Sequence, residues 1–288
     1  MDEIISWLLE DSSPEVKHRA VVELLGKPND DPETRRARGE LLGSEILIGV
    51  MKKFSSGKKW EDYAAFSSLA EFGLTRDDVE IDPYVNRIIE GTNFEMHCGK
   101  GLLLRNFVAL GYYGDERVKG VVADAFSVMR DDGTFKCLSK TKKENDTNLP
   151  GLACYRQTTT YLLLAAELMK IGATLPQFGP LVDFYLKYEV AYRPDGSFVI
   201  EEMARTFYPV DCVKNGLQMI LYALSVLGAA SRPECARAFE LLENKKGADG
   251  KYILENSLTK PYLNVGKTGK PNKWVTLYAL LSEKYRSE

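Results

Sequence analysis

The sequence is short of histidine, of unbalanced charge and of long apolar runs, and each shortage removes a class of function. Only two histidines, His18 and His97, occur in 288 residues, so a triad built on an imidazole base has almost no candidates. Net charge is -3, from 38 Lys plus Arg against 41 Asp plus Glu. That leaves no basic field to draw in nucleic acid. Lysine runs such as Lys140 to Lys143 are short and interrupted, and they read as solvated loop. No apolar stretch reaches the ~18 residues of a membrane span. The longest, Tyr161 to Met169 and Met219 to Leu227, have the length of core helices and carry polar positions. The start, Met1-Asp2-Glu3, is acidic, with Glu10-Asp11 close behind, unlike a secretory leader. A cytoplasmic location is expected. In that compartment five cysteines would be free thiols, either buried hydrophobes or groups that do chemistry. β-rich runs are missing apart from short segments after Asp-Gly turns, and no domain linker interrupts the chain.

What is present is a repeat. An apolar helical run ends at a Gly; a short loop and a second helix follow, and then an Asp-Gly turn with an aromatic. One copy runs Gly101 to Leu110, Gly111, Val118 to Met129, Asp131-Asp132-Gly133-Thr134-Phe135. The next runs Gln157 to Ile171, Gly172, Leu181 to Tyr188, Pro194-Asp195-Gly196-Ser197-Phe198. A third runs Val213 to Leu227, Gly228, Pro233 to Glu243, Ala248-Asp249-Gly250-Lys251-Tyr252. The first helix of each pair is apolar nearly all round, as in Leu162-Leu163-Leu164-Ala165-Ala166, and is expected inside. The second mixes in charge (Glu234, Arg237, Glu240, Glu243) and is expected outside.

The first 63 residues are less regular. Asp11-Ser12-Ser13-Pro14-Glu15 has the cap, proline and early acid of a helix start, running to Leu25 and ending at Gly26. Asn29-Asp30-Asp31-Pro32 caps the next helix. Leu69 to Gly73 and Pro83 to Gly91 read as a further inner and outer pair, and Lys270-Pro271-Asn272-Lys273-Trp274 opens the last helix. His18 is expected on the surface of a charged helix.

The Asp-Gly-aromatic turns resemble the prenyltransferase and squalene-cyclase repeat. The chain is more closely similar to short bacterial and archaeal proteins of unassigned function that carry it. The matching segments are Cys98-Gly99, Leu110-Gly111-Tyr112 with Asp115-Glu116-Arg117-Val118, Asp131 to Cys137, and Gly269 to Leu277; they span residues 64 to 288. The resemblance implies an all-α chain, one α/α toroid over residues 1 to 288, with a central cavity lined by inner-helix N-termini. It does not fix an activity. The Asp-x-Asp-Asp of the cyclases is absent, and Asp77-Asp78-Val79-Glu80-Ile81 lacks the last acid of Asp-Asp-x-x-Asp.

In such a toroid Cys98, Cys154 and Cys212 each precede an inner helix, and Cys137 follows an Asp-Gly turn toward the same rim. Cys98, Cys137, Cys154 and Asp211 form the expected zinc set, with His97 and Cys212 as substitutes and His97 and Asp211 as candidate catalytic groups. Zinc takes four ligands, with thiolates at ~2.3 Å. In the protein prenyltransferases zinc is held by an acid, a thiol and an imidazole. Cys154 matches the thiol position, Asp211 falls near the imidazole position, and Leu152 stands where the acid would be. His97-Cys98-Gly99 is also similar to the zinc-binding Cys-His-Gly of lanthionine cyclases, in reversed order. The other reading is that these are small side chains packed at helix starts. Arg105, Arg156, Arg205 and Lys214 are candidates for an anionic substrate group. Tyr155, Tyr161, Phe207, Tyr208, Tyr222 and Trp274 are candidates for lining an apolar or isoprenoid-binding cavity. The expected function is a zinc-dependent transferase, cyclase or hydrolase; the alternative is a non-catalytic helical-repeat module that binds a ligand or a protein.

Overall fold

The computed structural model describes residues 2–92, 99–136, 149, 153–211, 214–259, 261–263 and 265–287. These residues form thirteen α-helices, with isolated β-bridges in place of any strand. The chain is all-α, as its periodicity predicts.

Helix starts and stops follow local chemistry. After α1 (Asp2–Leu8), α2 (Pro14–Arg19) opens on proline and continues as a π-helical turn, Ala20–Leu24. Gly26, at φ +66°, closes that turn. Asp31 caps α3 (Pro32–Leu42) by accepting the Glu33 N–H at 2.8 Å, and the Ser44 hydroxyl caps α4 (Glu45–Lys53) by accepting that of Leu47. Helix α5 (Lys59–Phe72) precedes α6 (Asp82–Thr92). The three repeats follow as α7 (Lys100–Ala109) with α8 (Glu116–Ser127), α9 (Tyr155–Lys170) with α10 (Phe178–Lys187), and α11 (Leu217–Val226) with α12 (Ala236–Glu243). Helix α13 (Lys273–Ser287) comes last.

Burial sorts the helices as their composition predicts. In α9 every residue from Tyr155 to Leu168 except Arg156 is buried, whereas α8 buries only Val118, Val122, Ala125 and Phe126, one stripe of a helix. Packing runs from α2 to α5, α7, α9, α11 and α13 in turn, and α13 returns to α2 and its π-helical turn. Trp274, at the start of α13, stacks on Phe72 of α5 with ring centroids 6.4 Å apart and on Tyr208 at 5.0 Å. One hydrophobic cluster extends from Leu8 to Leu281. Among the described residues no helix is long and apolar enough to cross a membrane.

Two Asp-Gly turns splice an outer helix to the next inner one by the same hydrogen bonds. Asp132 Oδ1 accepts from the Thr134 N–H, Gly133 sits at φ +78°, and the Phe135 ring stacks on Tyr161 at 3.7 Å. The Phe135 N–H donates to Thr158 Oγ1 at 3.1 Å, and its carbonyl accepts the Cys154 N–H at 2.8 Å. After α12, the Tyr252 N–H donates to Thr276 Oγ1 at 2.9 Å, and its carbonyl accepts the Asn272 N–H at 2.9 Å. Cys154 and Asn272 then cap their helices alike: Cys154 Sγ accepts the Gln157 N–H at 3.5 Å, and Asn272 Oδ1 accepts that of Val275 at 3.0 Å.

Candidate ligand cavity and the charge cluster behind it

A cavity of about 360 Å³ opens between the N-terminal halves of α5 and α7. Helical spacing builds both walls: Lys59, Trp60, Tyr63, Ala64 and Ser67 line it from α5, and Leu102, Leu103 and Asn106 from α7, with Gly99 just before that helix. Val210, Asp211 and Tyr262 close it from two loops. Most of the surface is carbon. The polar groups gather at definite places: Asn106 Nδ2 donates to Ser67 Oγ at 2.8 Å, the Tyr262 hydroxyl donates to the Val210 carbonyl at 2.8 Å, and Asp211 supplies a carboxylate. A mostly apolar cavity of this size with a few placed polar groups matches the usual form of small-molecule sites.

One turn beyond Ser67, and next to Asn106, begins a cluster of charge buried among the helices. Arg105 Nη1 donates to Glu71 Oε1 at 2.6 Å, and its Nη2 lies 3.0 Å from Glu167. Lys170 bridges Glu167 at 3.2 Å and Glu23 at 3.1 Å. Arg19 Nε donates to Glu23 at 2.5 Å, and its Nη1 returns to the Glu71 carbonyl at 2.8 Å. Three cations thus face three carboxylates in a closed circuit. Tyr278 and Tyr208 donate to Glu71 Oε2, at 2.6 and 3.1 Å, and Tyr222 and Tyr285 to Glu23 Oε1. Burial works against the charged forms, but the pairing overrides it. Arg19 is held well above its ordinary value by Glu23, and Arg105 by Glu71 and Glu167. Glu23 is held far below its own by Arg19 and Lys170, and Glu167 is lowered by Lys170 and Arg105.

The candidate site residues fall in different places. Asp211 is on the cavity wall, half-buried. Cys154 is buried as the cap of α9. His97, Cys98, Cys137, Leu152 and Cys212 lie outside the described residues. Among the described residues no group of three or more His, Cys, Asp and Glu side chains could hold a metal. Arg105 sits inside the helix cluster at 1 % exposure with two carboxylates, rather than at a rim where an anion could reach it. Tyr208 is fully buried against Glu71, and the Tyr155 hydroxyl donates to the Val190 carbonyl. Arg156 and Lys214 share one carboxylate, Glu202, at 3.3 and 3.2 Å, and Arg205 pairs with Glu201. Burial pushes the Cys235 thiol up to about 11, which makes it a packing group.

The expectation that His18 is a surface residue is corrected. It is 1 % exposed, its Nδ1–H donates to the Phe72 carbonyl at 2.8 Å, and its Nε2 has no hydrogen-bond partner among the described residues. Charged neighbours in sequence suggested solvent, but Lys17 and Arg19 are themselves buried, each paired with a carboxylate.

Ser67, Asn106, Tyr262 and the acidic half of the cluster were not singled out from sequence. The signal was there in part: Ala70-Glu71-Phe72, Leu104-Arg105-Asn106-Phe107 and Ala166-Glu167-Leu168 set charge inside apolar helical runs. A charge on a face predicted to be buried demands a partner.

No family model, curated protein or solved structure matches the chain.

Proposed function

We propose that the chain is an α/α toroid that binds a small, mostly apolar molecule with one polar group in the cavity between α5 and α7. The carrying observation is the cavity itself: mostly apolar walls, with Lys59, Ser67, Asn106, Asp211 and Tyr262 among the residues that bring polar groups to it. The toroid reading is supported by the return of α13 to α2 and by the charge cluster, which draws side chains from α2, α5, α7, α9, α11 and α13. In such a body the charge cluster fills the space among the inner helices and fixes their spacing, leaving the cavity at one end.

The test is calorimetric titration with medium- and long-chain carboxylic acids and isoprenoid alcohols. Binding in the micromolar range is expected, weakened about tenfold or more in Leu103→Trp, which adds an indole to the wall. Circular dichroism establishes that the variant is folded. Equal binding by the wild type and a folded Leu103→Trp protein overturns the reading.

A zinc-dependent enzyme is the second reading. Its support is that Asp211 lines the same cavity as Gly99, the residue that follows His97-Cys98 in sequence. Elemental mass spectrometry of Cys154→Asn tests the ligand set, because that variant removes the thiol while supplying an oxygen that can take over the cap. About one zinc per wild-type chain, lost in the variant, is expected on this reading; zinc-free wild-type protein overturns it.

A further inference from the structure

We propose that the turn joining α4 to α5 docks on anionic membrane surface and so brings the cavity mouth to its ligand; this rests on the cavity reading above. Residues 51–60 read Met-Lys-Lys-Phe-Ser-Ser-Gly-Lys-Lys-Trp, four lysines without an acid. Lys52, Lys58 and Lys59 are exposed, and Lys53 partly so. Only Lys58 has an ion pair among the described residues, a 3.5 Å contact with Glu61 at 71 % side-chain exposure. Asp62 gives no competing negative field, because it is buried against Arg87 at 2.7 Å.

The turn is firmly placed. Phe54 is 1 % exposed, stacks on Tyr84 at 4.3 Å and meets Phe66 edge-on at 4.9 Å. Gly57, at φ +66°, turns the chain into α5. Apolar side chains flank the lysines. Ile48, one turn before Lys52 on α4, is 48 % exposed, and Trp60 is 57 % exposed while also lining the cavity. Exposed Trp beside a lysine cluster is the pattern that partitions into an anionic headgroup layer: the indole takes the interface, and each lysine adds attraction that salt screens. The open apolar cavity beside Trp60 favours a membrane over a nucleic acid, since a molecule that fits such walls resides in bilayers.

The experiment is flotation of the full chain with phosphatidylcholine vesicles, with and without phosphatidylglycerol, at low and high salt. Binding is expected only with phosphatidylglycerol, and it should be lost at high salt. Lys52→Glu/Lys53→Glu should lower partitioning about tenfold or more while leaving ligand titration unchanged, because neither lysine lines the cavity. Trp60→Ser should also weaken partitioning, and the blue shift of tryptophan emission on vesicles should vanish with it. Equal binding to neutral vesicles, no binding to either kind, or binding indifferent to the charge reversal overturns the proposal. So does retention by heparin or RNA without vesicle binding. Vesicle binding with these dependences, in a chain that titrates no soluble ligand, upholds the docking surface and overturns the cavity reading alone.

Discussion

Cys154 shows how one position supports two chemistries until its neighbours are seen. Its thiol receives the Gln157 N–H at the start of α9, where Asn272 receives that of Val275 at the start of α13. The two residues also donate their own N–H groups to the backbone carbonyl of the aromatic residue in the preceding Asp-Gly turn. Asn is among the preferred capping residues, and removing a capping side chain costs about 1 kcal/mol. Cys154→Asn is therefore expected to keep or raise the melting temperature, while Cys154→Ala lowers it by several degrees. Thermal denaturation of the two variants decides; equal losses in both would show that the sulfur packs rather than caps.

Helix α7 packs against α9, and glycine permits a close approach at Gly101. A Cβ on Gly101 would stand 2.5 Å from Thr160 Oγ1 and 3.1 Å from the Thr160 backbone. Part of that crowding is backbone, so a rotamer change at Thr160 cannot relieve it. Gly101→Ala should force the helices apart and cost about 1–3 kcal/mol by overpacking, despite the better helix propensity of alanine. Urea denaturation measures it, and a neutral or stabilising result would show that α7 can slide. The same displacement would move Leu102 and Leu103, so a folded Gly101→Ala protein should also bind cavity ligands less well. Most helix positions, though not α1 or α4, were legible in the sequence because their causes are local: Pro14, Asp31-Pro32, Gly73 and the Asp-Gly turns act within a few residues of themselves. The close pairing was not, since nothing near Gly101 points to Thr160.

At the scale of the whole molecule, the buried charge cluster ties stability to pH. Glu23 and Glu167 have carboxyls lowered from the ordinary 4.5, so the stability they confer is complete above that value and lost as pH falls toward their depressed values. His18 is lowered from 6.5 by burial, with nearby Arg38 adding to the shift against the Phe72 hydrogen bond. The unfolded chain takes up that proton first, so stability begins to fall below about pH 6.5. Glu15, raised by burial, works in the other direction near its own titration. Melting temperature should decline gently from neutral pH to pH 5 and steeply below about 4.5, with the gentle phase flattened in His18→Gln. A melting temperature flat down to pH 4 would mean that the cluster does not carry its charges.

The sequence by itself determined most of the helices, which of the repeat helices are buried nearly all round and which along one stripe, and the turns that splice them. Each depends on residue spacing, on capping groups or on a backbone conformation that only glycine adopts easily. Tertiary structure decided the rest. Glu71 meets Arg105 across 34 residues and Tyr278 across 207; Glu23 meets Tyr222 across 199. A charge inside an apolar helix announces that a partner must exist, but chain order does not say which. The cavity is equally a product of assembly, for α5, α7 and the loops that carry Val210, Asp211 and Tyr262 meet only in the folded chain, and the spacing within any one of them does not announce it.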